Sequence, residues 1–328
     1  MRYRTIPGTE LNASLICLGS CFFGTSIPRD DAFAVLDAFA GQGGNFVDTA
    51  HVYASWMPNG VGASERTLGA WLQARGVRKS FIVATKGGDP DLETNGPPRL
   101  APEQITHDLL ESLERLQSDY IDLYWLHRDN PRVPVDEIID VLNQHLAAGR
   151  LRAIGASNWS VKRQLEAAAY ARAHGLVSFC ASEIGFSLAP VSRENSDHNV
   201  IYMDEGTLQE YIETQIPVVA FSSQAEGFFS GKYGRYLPLP DTPQAKRVAS
   251  LYFCEENWDR LERAQALAAK YGRTANQIAL AFLLSQPFPV YPIVGCRTVA
   301  QVLDSCAAAD LALSAEEVAA LAGHYHQF

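Results

Sequence analysis

Three observations predict that this 328-residue chain folds as an α/β protein of the (β/α)8 (TIM) barrel class. Eight short apolar runs recur at roughly 30 to 40 residue spacing, each followed by an amphipathic helix pattern. Asp48, Lys86 and His127 stand at the ends of three of these runs, where barrel strands open onto a common rim. No GxGxxG fingerprint follows the first run, which removes the rival doubly wound sheet.

At the N-terminus, "RYRTI" and "LICLG" flank the turn signal Pro7-Gly8-Thr9, so a β-hairpin is expected ahead of the repeating units. Barrel strands are expected in 13–19, 45–50, 81–86, 120–127, 151–157, 178–185, 217–222 and 290–295. The helices that follow them read as about 30–42, 63–75, 103–117, 134–148, 161–174, 205–214, 257–271 and 299–308. An extra C-terminal helix starts near 314. Connections 87–102, 186–204 and 223–256 are too long for simple turns. Each follows a strand and therefore falls on the C-terminal face, and long loops in a compact domain usually carry function. No linker interrupts 1–328, which reads as one domain.

Composition narrows the function. With 47% apolar and 20% charged residues the chain is ordinary globular material, and its net charge is −10. No cluster of Lys and Arg offsets that charge, which argues against nucleic acid and anionic membranes as partners. The N-terminus lacks an apolar signal region and no stretch reaches the length of a membrane span. Six cysteines fall at no metal-ligand spacing and form no CxxC pair. A cytoplasmic location, no bound metal and a small-molecule partner are expected, with a homo-oligomer left open.

The rim residues form a coherent chemical set. Asp48 closes an apolar strand, where a carboxylate is costly unless paired. Lys86 can neutralise it across the rim. Tyr53 follows five residues after Asp48, and a lysine cation beside its hydroxyl is expected to lower its pKa and make it a proton donor near neutral pH. His127 can hydrogen-bond a carbonyl oxygen. Taken singly, the histidine reads as a core residue and the aspartate as a turn cap, but four such residues at one rim do not. They suit proton delivery to an oxygen while a hydride from a cofactor reaches carbon.

These motifs resemble the aldo-keto reductases, over nearly the whole chain. "DTAHVY" is similar to that family's Asp-Thr-Ala-x-x-Tyr, "GASERTLG" to its Ser-Glu helix start, "ATKGG" to its lysine strand and "IDLYWLHR" to its histidine strand. "GRLRAIGASNW" and "AFSSQAEGFFSGKYG" resemble its Ser-Asn and Gly-Lys-Tyr segments. The resemblance implies a nicotinamide cofactor, usually NADP(H), and catalytic roles for Asp48, Tyr53, Lys86 and His127. It further implies that Ser157, Asn158 and Glu183 meet the nicotinamide carboxamide and that Phe221 stacks on the ring. Ser222, Ser223, Gln224, Gly227 and Lys232 would line the pyrophosphate, while Arg297, Gln301 and Asp304 would meet the adenosine 2′-phosphate and adenine. Cys21, Phe22 and Gly295 complete the implied cofactor set.

Two departures stand out. Glu183 replaces the usual glutamine, and as an ionised acceptor near the nicotinamide it is expected to favour the oxidised cofactor. Asp304-Ser305 replaces a Glu-Asn pair. Other signals fail on spacing: "HRDN" lacks the later Asn of a kinase loop, and "GFFSGKY" is one residue short of a P-loop. His324 and His326 are set aside as metal ligands. His51, Phe22, Phe23 and Trp56 are candidates for the substrate pocket, and for Trp159 core packing is an equal reading. An alternative function is a cofactor-loaded interaction protein like the potassium-channel β subunits, which commonly carry Asn at the histidine position; His127 favours an enzyme. A barrel hydrolase would leave Lys86 and Tyr53 without roles.

Overall fold

The computed structural model describes residues 1–92 and 96–323. His324 and His326, set aside as metal ligands, lie outside them. A two-stranded antiparallel hairpin, β1 (Tyr3–Thr5) with β2 (Asn12–Ser14), precedes the barrel. Its second strand is thus Asn12–Ser14, whereas "LICLG" supplies the first barrel strand.

Eight parallel strands then close on themselves: β3 (Cys17–Gly19), β4 (Phe46–Asp48), β5 (Ile82–Gly87), β6 (Ile121–Leu126), β7 (Leu151–Ser157), β8 (Ser182–Gly185), β9 (Val218–Phe221) and β10 (Val290–Val294). Closure pairs β10 with both β9 and β3. Strands covered on both faces become continuous apolar runs, as in the fully buried β5 and β6. Period-two alternation decides where their polar residues point. Thr85 faces outward to Glu65, while its neighbour Lys86 faces the barrel interior and Asp48.

The surrounding helices are α1 (Arg29–Gly41), α2 (Ala63–Arg75), α3 (Pro102–Leu116), α4 (Val135–Ala147), α5 (Val161–His174), α6 (Glu205–Thr214), α7 (Pro243–Tyr252), α8 (Glu255–Tyr271), α9 (Ala275–Leu284), α10 (Val299–Ala307) and α11 (Ala315–Ala322). Two of these were not anticipated. The connection 223–256 contains α7, and α9, rather than α8, directly precedes and packs on β10. Apolar side chains fill the space between barrel and helices, including fully buried Trp71, Trp125 and Trp159. At Gly155 a Cβ would sit 2.2 Å from the Trp125 ring, so only glycine lets β7 pass that indole. Among the described residues no helix is long and apolar enough to cross a membrane.

Candidate active site

The C-terminal ends of β4, β5 and β6 deliver Asp48, Lys86 and His127 to one rim, and the turn after β4 adds Tyr53. The Ser64-Glu65 start of α2 fixes these ends from behind. Ser64 Oγ donates to Ser20 O at 2.8 Å and shares a 2.8 Å hydrogen bond with Thr49, while Glu65 accepts from Thr85 at 2.7 Å.

Lys86 is the hub. Its Nζ donates to an Asp48 carboxylate oxygen, to Thr49 O at 2.9 Å and to the Tyr53 hydroxyl at 2.9 Å. The Tyr53 hydroxyl in turn lies 3.4 Å from Asp48 Oδ2. Glu183 Oε1, projecting from β8, lies 3.2 Å from the same ammonium. One fully buried cation therefore faces two buried carboxyl groups, and one oxygen on each, Asp48 Oδ1 and Glu183 Oε2, has no hydrogen-bond partner. Asp48 thus has the lysine partner its position required, together with an acidic neighbour that was not foreseen.

This arrangement sets the protonation of the cluster. Burial pushes Glu183 up, Asp48 adds to the shift, Lys86 offsets only part of it, and the carboxyl pKa reaches about 8. Asp48 is raised by burial against the pull of Lys86. Burial lowers Lys86, but Asp48 and Glu183 outweigh it and hold the ammonium above its ordinary value. Two expectations are corrected here. Glu183 pairs with Lys86, and its carboxyl is shifted toward the protonated form by burial and Asp48 rather than standing as a free ionised acceptor. Tyr53 is not pulled toward phenolate but raised well above its usual value, by burial and then by Asp48 and Glu183.

The ring of His127 meets that of Tyr53 edge-on, with centroids 5.9 Å apart. Burial, then Lys86 and Arg128, lower its pKa well below 6.5, which keeps the imidazole neutral. His127 Nδ1 is buried without a hydrogen bond, although Asp89 Oδ1 is 3.5 Å away. Asp89 also meets Arg128 Nε at 3.3 Å, and Arg128 donates to Asn199 O at 2.9 Å in the 186–204 connection. Sequence reasoning missed both Asp89 and Arg128. Their signals were adjacency: Asp89 lies three residues beyond Lys86, and Arg128 follows His127 in the discarded "HRDN".

The residues assigned by resemblance to a cofactor lie along the adjoining strand ends. Ser157 ends β7, and Asn158 follows in a left-handed conformation with φ 58°. The Asn158 amide donates to His127 O and Ser157 Oγ, each at 3.1 Å, and accepts from Ile201 N at 3.1 Å. Phe221 closes β9 and is only partly buried. Beyond it Ser222, Ala225, Glu226 and Gly227 all adopt positive φ. Ser223 Oγ donates to Ile293 O at 2.5 Å, and Gln224 bridges Asn276, Ser305 and Gly295 N, each at 3.1 Å. Arg297 reaches Ser26 Oγ at 3.0 Å and lies over the Phe22 ring, while its backbone N–H donates to Gln301 at 2.7 Å. Lys232 is exposed, and neither it nor Arg297 forms an ion pair among the described residues. Burial raises the partly buried Cys21 thiol to about 12, which leaves it inert.

Asp304 is bonded within the protein. Its carboxylate accepts from Thr274 at 2.9 Å, Gln277 at 2.8 Å and Asn276 at 2.7 Å, so both oxygens are held by the first turn of α9. Of the pocket candidates, Phe22 and Trp56 meet edge-on at the surface, whereas Phe23 and Trp159 are fully buried. His51 is turned to Glu111 on α3 at 2.6 Å.

A family model described as the aldo/keto reductase family matches residues 15–326. "Uncharacterized oxidoreductase YrpG" of Bacillus subtilis (strain 168) is 30% identical over 321 residues, covering 96% of this chain and 93% of its own length. "Protein tas" of Escherichia coli (strain K12) is 29% identical and covers 100% and 98%. "Aldo-keto reductase yakc [NADP(+)]" of Schizosaccharomyces pombe is 29% identical and covers 86% and 78%. A crystal structure of the thermostable aldo-keto reductase Tm1743 with the inhibitor epalrestat superposes with TM-score 0.74 over 98% of this chain and 99% of that one, at 20% identity, a likeness of fold. With its closed parallel barrel and a family match across almost its entire length, the chain belongs to the aldo/keto reductase family of oxidoreductases.

Proposed function

We propose that the protein is an NADP(H)-dependent oxidoreductase that interconverts an aldehyde, ketone or sugar-derived carbonyl with its alcohol, working as a single barrel domain in the cytoplasm. The observation that carries this reading is the Lys86 ammonium 2.9 Å from the Tyr53 hydroxyl, beside the neutral His127. Such an array donates a proton at one point in space.

The cofactor fits the adjoining strand ends. In a chain of net charge −10, Lys232 and Arg297, beyond β9 and β10, form no ion pair with a carboxylate among the described residues. Apart from its own chain neighbours, no described residue comes within 4 Å of where a Cβ would stand at Gly295, leaving room for a ligand against the backbone. Phosphate groups suit unpaired cations and open backbone of this kind. Ser222, Ser223, Gln224, Gly227 and Lys232 would hold the pyrophosphate, Arg297 and Gln301 the 2′-phosphate, and Asp304 would act through Asn276 and Gln277. Phe221, Ser157 and Asn158 would seat the nicotinamide, with Cys21 and Phe22 at its margin. Yakc, a relative, carries NADP(+) in its name.

When bound, the cofactor supplies the hydride. The substrate oxygen accepts hydrogen bonds from His127 and Tyr53; Tyr53 releases its proton to that oxygen, and Lys86 stabilises the phenolate left behind. Asp48 holds Lys86 in place. The histidine favours this activity over a channel-subunit role. The test is NADPH oxidation followed at 340 nm with a panel of aldehydes and ketones; no turnover with any carbonyl, despite NADPH binding, would favour the interaction-protein reading.

A further inference from the structure

Resting on the proposed carbonyl reduction, a second assignment concerns the carboxyl group that shares Lys86. We propose that Glu183 is a positioning residue for proton transfer, acting through Lys86: it carries a proton while Tyr53 serves as the acid, and its ionisation turns the site away from reduction.

The geometry makes this a matter of counting charges. Reduction breaks the Tyr53 O–H bond and forms the alcohol O–H bond as the hydride's electron pair reaches carbon. It leaves a phenolate 2.9 Å from Lys86 Nζ. With Glu183 protonated, that ammonium then faces two anions, Asp48 and the phenolate. With Glu183 ionised it faces three, with Glu183 Oε1 at 3.2 Å. Among the described residues no second cation pairs with Asp48 or Glu183. Cys17 on β3, Cys21, Asp48 on β4, Lys86 on β5, Tyr53 and His127, which follows β6, are the titratable groups around it; both thiols are raised and neutral, and His127, lowered by burial and then by Lys86, is neutral as well. At Glu183's level the flanking strands β7 and β9 bring Ser157 and Val219, neither of which titrates near neutral pH. Glu183 Oε2 and Asp48 Oδ1 are both buried without partners. A proton shared between such carboxyl groups relieves the crowding of like charge.

Glu183 does not pass its proton to the substrate. Tyr53 regains its proton from solvent after the alcohol leaves. In the oxidative direction the balance reverses, since an ionised Glu183 makes the phenolate a stronger base for the alcohol proton.

The experiment compares pH profiles of kcat for carbonyl reduction in wild type, Glu183→Gln and Tyr53→Phe. Once Glu183 ionises, the wild-type rate should fall about tenfold per pH unit. Glu183→Gln, a neutral isostere, should carry its plateau through the same range. An identical alkaline limb in Glu183→Gln, with Tyr53→Phe inactive, overturns this inference and leaves the reading of the site intact. Turnover by Tyr53→Phe overturns that reading instead. If Glu183→Gln does not fold, infrared spectra of the wild type decide. Loss of a buried carboxylic-acid carbonyl band between about pH 6 and about pH 10 supports the assignment, and its absence overturns it.

Discussion

Glu183 shows how one side chain changes the behaviour of its neighbours. Its folded pKa is raised from 4.5 to about 8, so its contribution to stability is complete below about 4.5 and is lost as pH rises through about 8. Wild type should therefore lose thermal stability relative to Glu183→Gln across that window. Melting curves of the two proteins from acid to alkaline pH check this, and parallel curves would contradict it. Lys86→Met should cost about 3–5 kcal/mol, since it strands two buried carboxyl groups without their cation. Because both groups can take up protons, the loss should shrink as pH falls. Denaturant titrations at two pH values measure it, and a variant as stable as wild type at alkaline pH would show that the cation does not hold the cluster. Asp48, Tyr53, Lys86 and His127 were legible in the sequence because strand ends in a barrel converge whatever the loops do. The raised Tyr53 pKa was not, because it comes first from burial of the hydroxyl and then from Asp48 and Glu183, and linear spacing reveals neither that burial nor the approach of Glu183 across the barrel.

At the scale of elements, most helices were legible from their amphipathic period, and α2, α5 and α6 begin and end where expected. The helix α9 was missed because it is buried almost all round, which erases the period. Its Thr274–Gln277 capping box was nonetheless present in the sequence and could have marked its start. Likewise Thr242 caps α7, followed by Pro243 at the first helical position, a start signal inside what reads as a long loop. One contact ties these late elements together. Arg260 of α8 is fully buried and donates to Ala322 O at 3.0 Å, to Leu188 O at 3.4 Å and to Glu256 at 2.7 Å. It thereby holds α11 and the 186–204 connection against α8. Arg260→Met should destabilise the fold by about 3 kcal/mol, because buried carbonyls lose their donor. Hydrogen exchange should show the loss concentrated at α11 and the 186–204 connection; uniform exchange across the barrel would contradict that role.

At the scale of the whole molecule, the barrel gathers Asp48, Tyr53, Lys86 and His127 at the ends of β4 to β6, and Lys232 and Arg297 after β9 and β10 form no ion pair among the described residues. In the proposed function, that separation gives cofactor choice to residues that do not touch the reacting oxygen. Arg297→Ala should weaken NADPH binding by about tenfold or more while leaving NADH nearly unchanged, as expected if a charge-assisted bond to the 2′-phosphate is lost. Fluorescence titration with each cofactor checks this, and equal losses for both would contradict it.

The central claim, that Tyr53 donates the proton, is tested most directly by the rate of NADPH-dependent carbonyl reduction in Tyr53→Phe. The substitution removes one hydroxyl from a side chain whose backbone and ring contacts remain. If proton delivery contributes ~10²–10⁴-fold, the barrier rises by ~3–5 kcal/mol and turnover falls below about a hundredth of wild type while NADPH still binds. A Tyr53→Phe enzyme that keeps more than about a tenth of the wild-type rate would contradict the account.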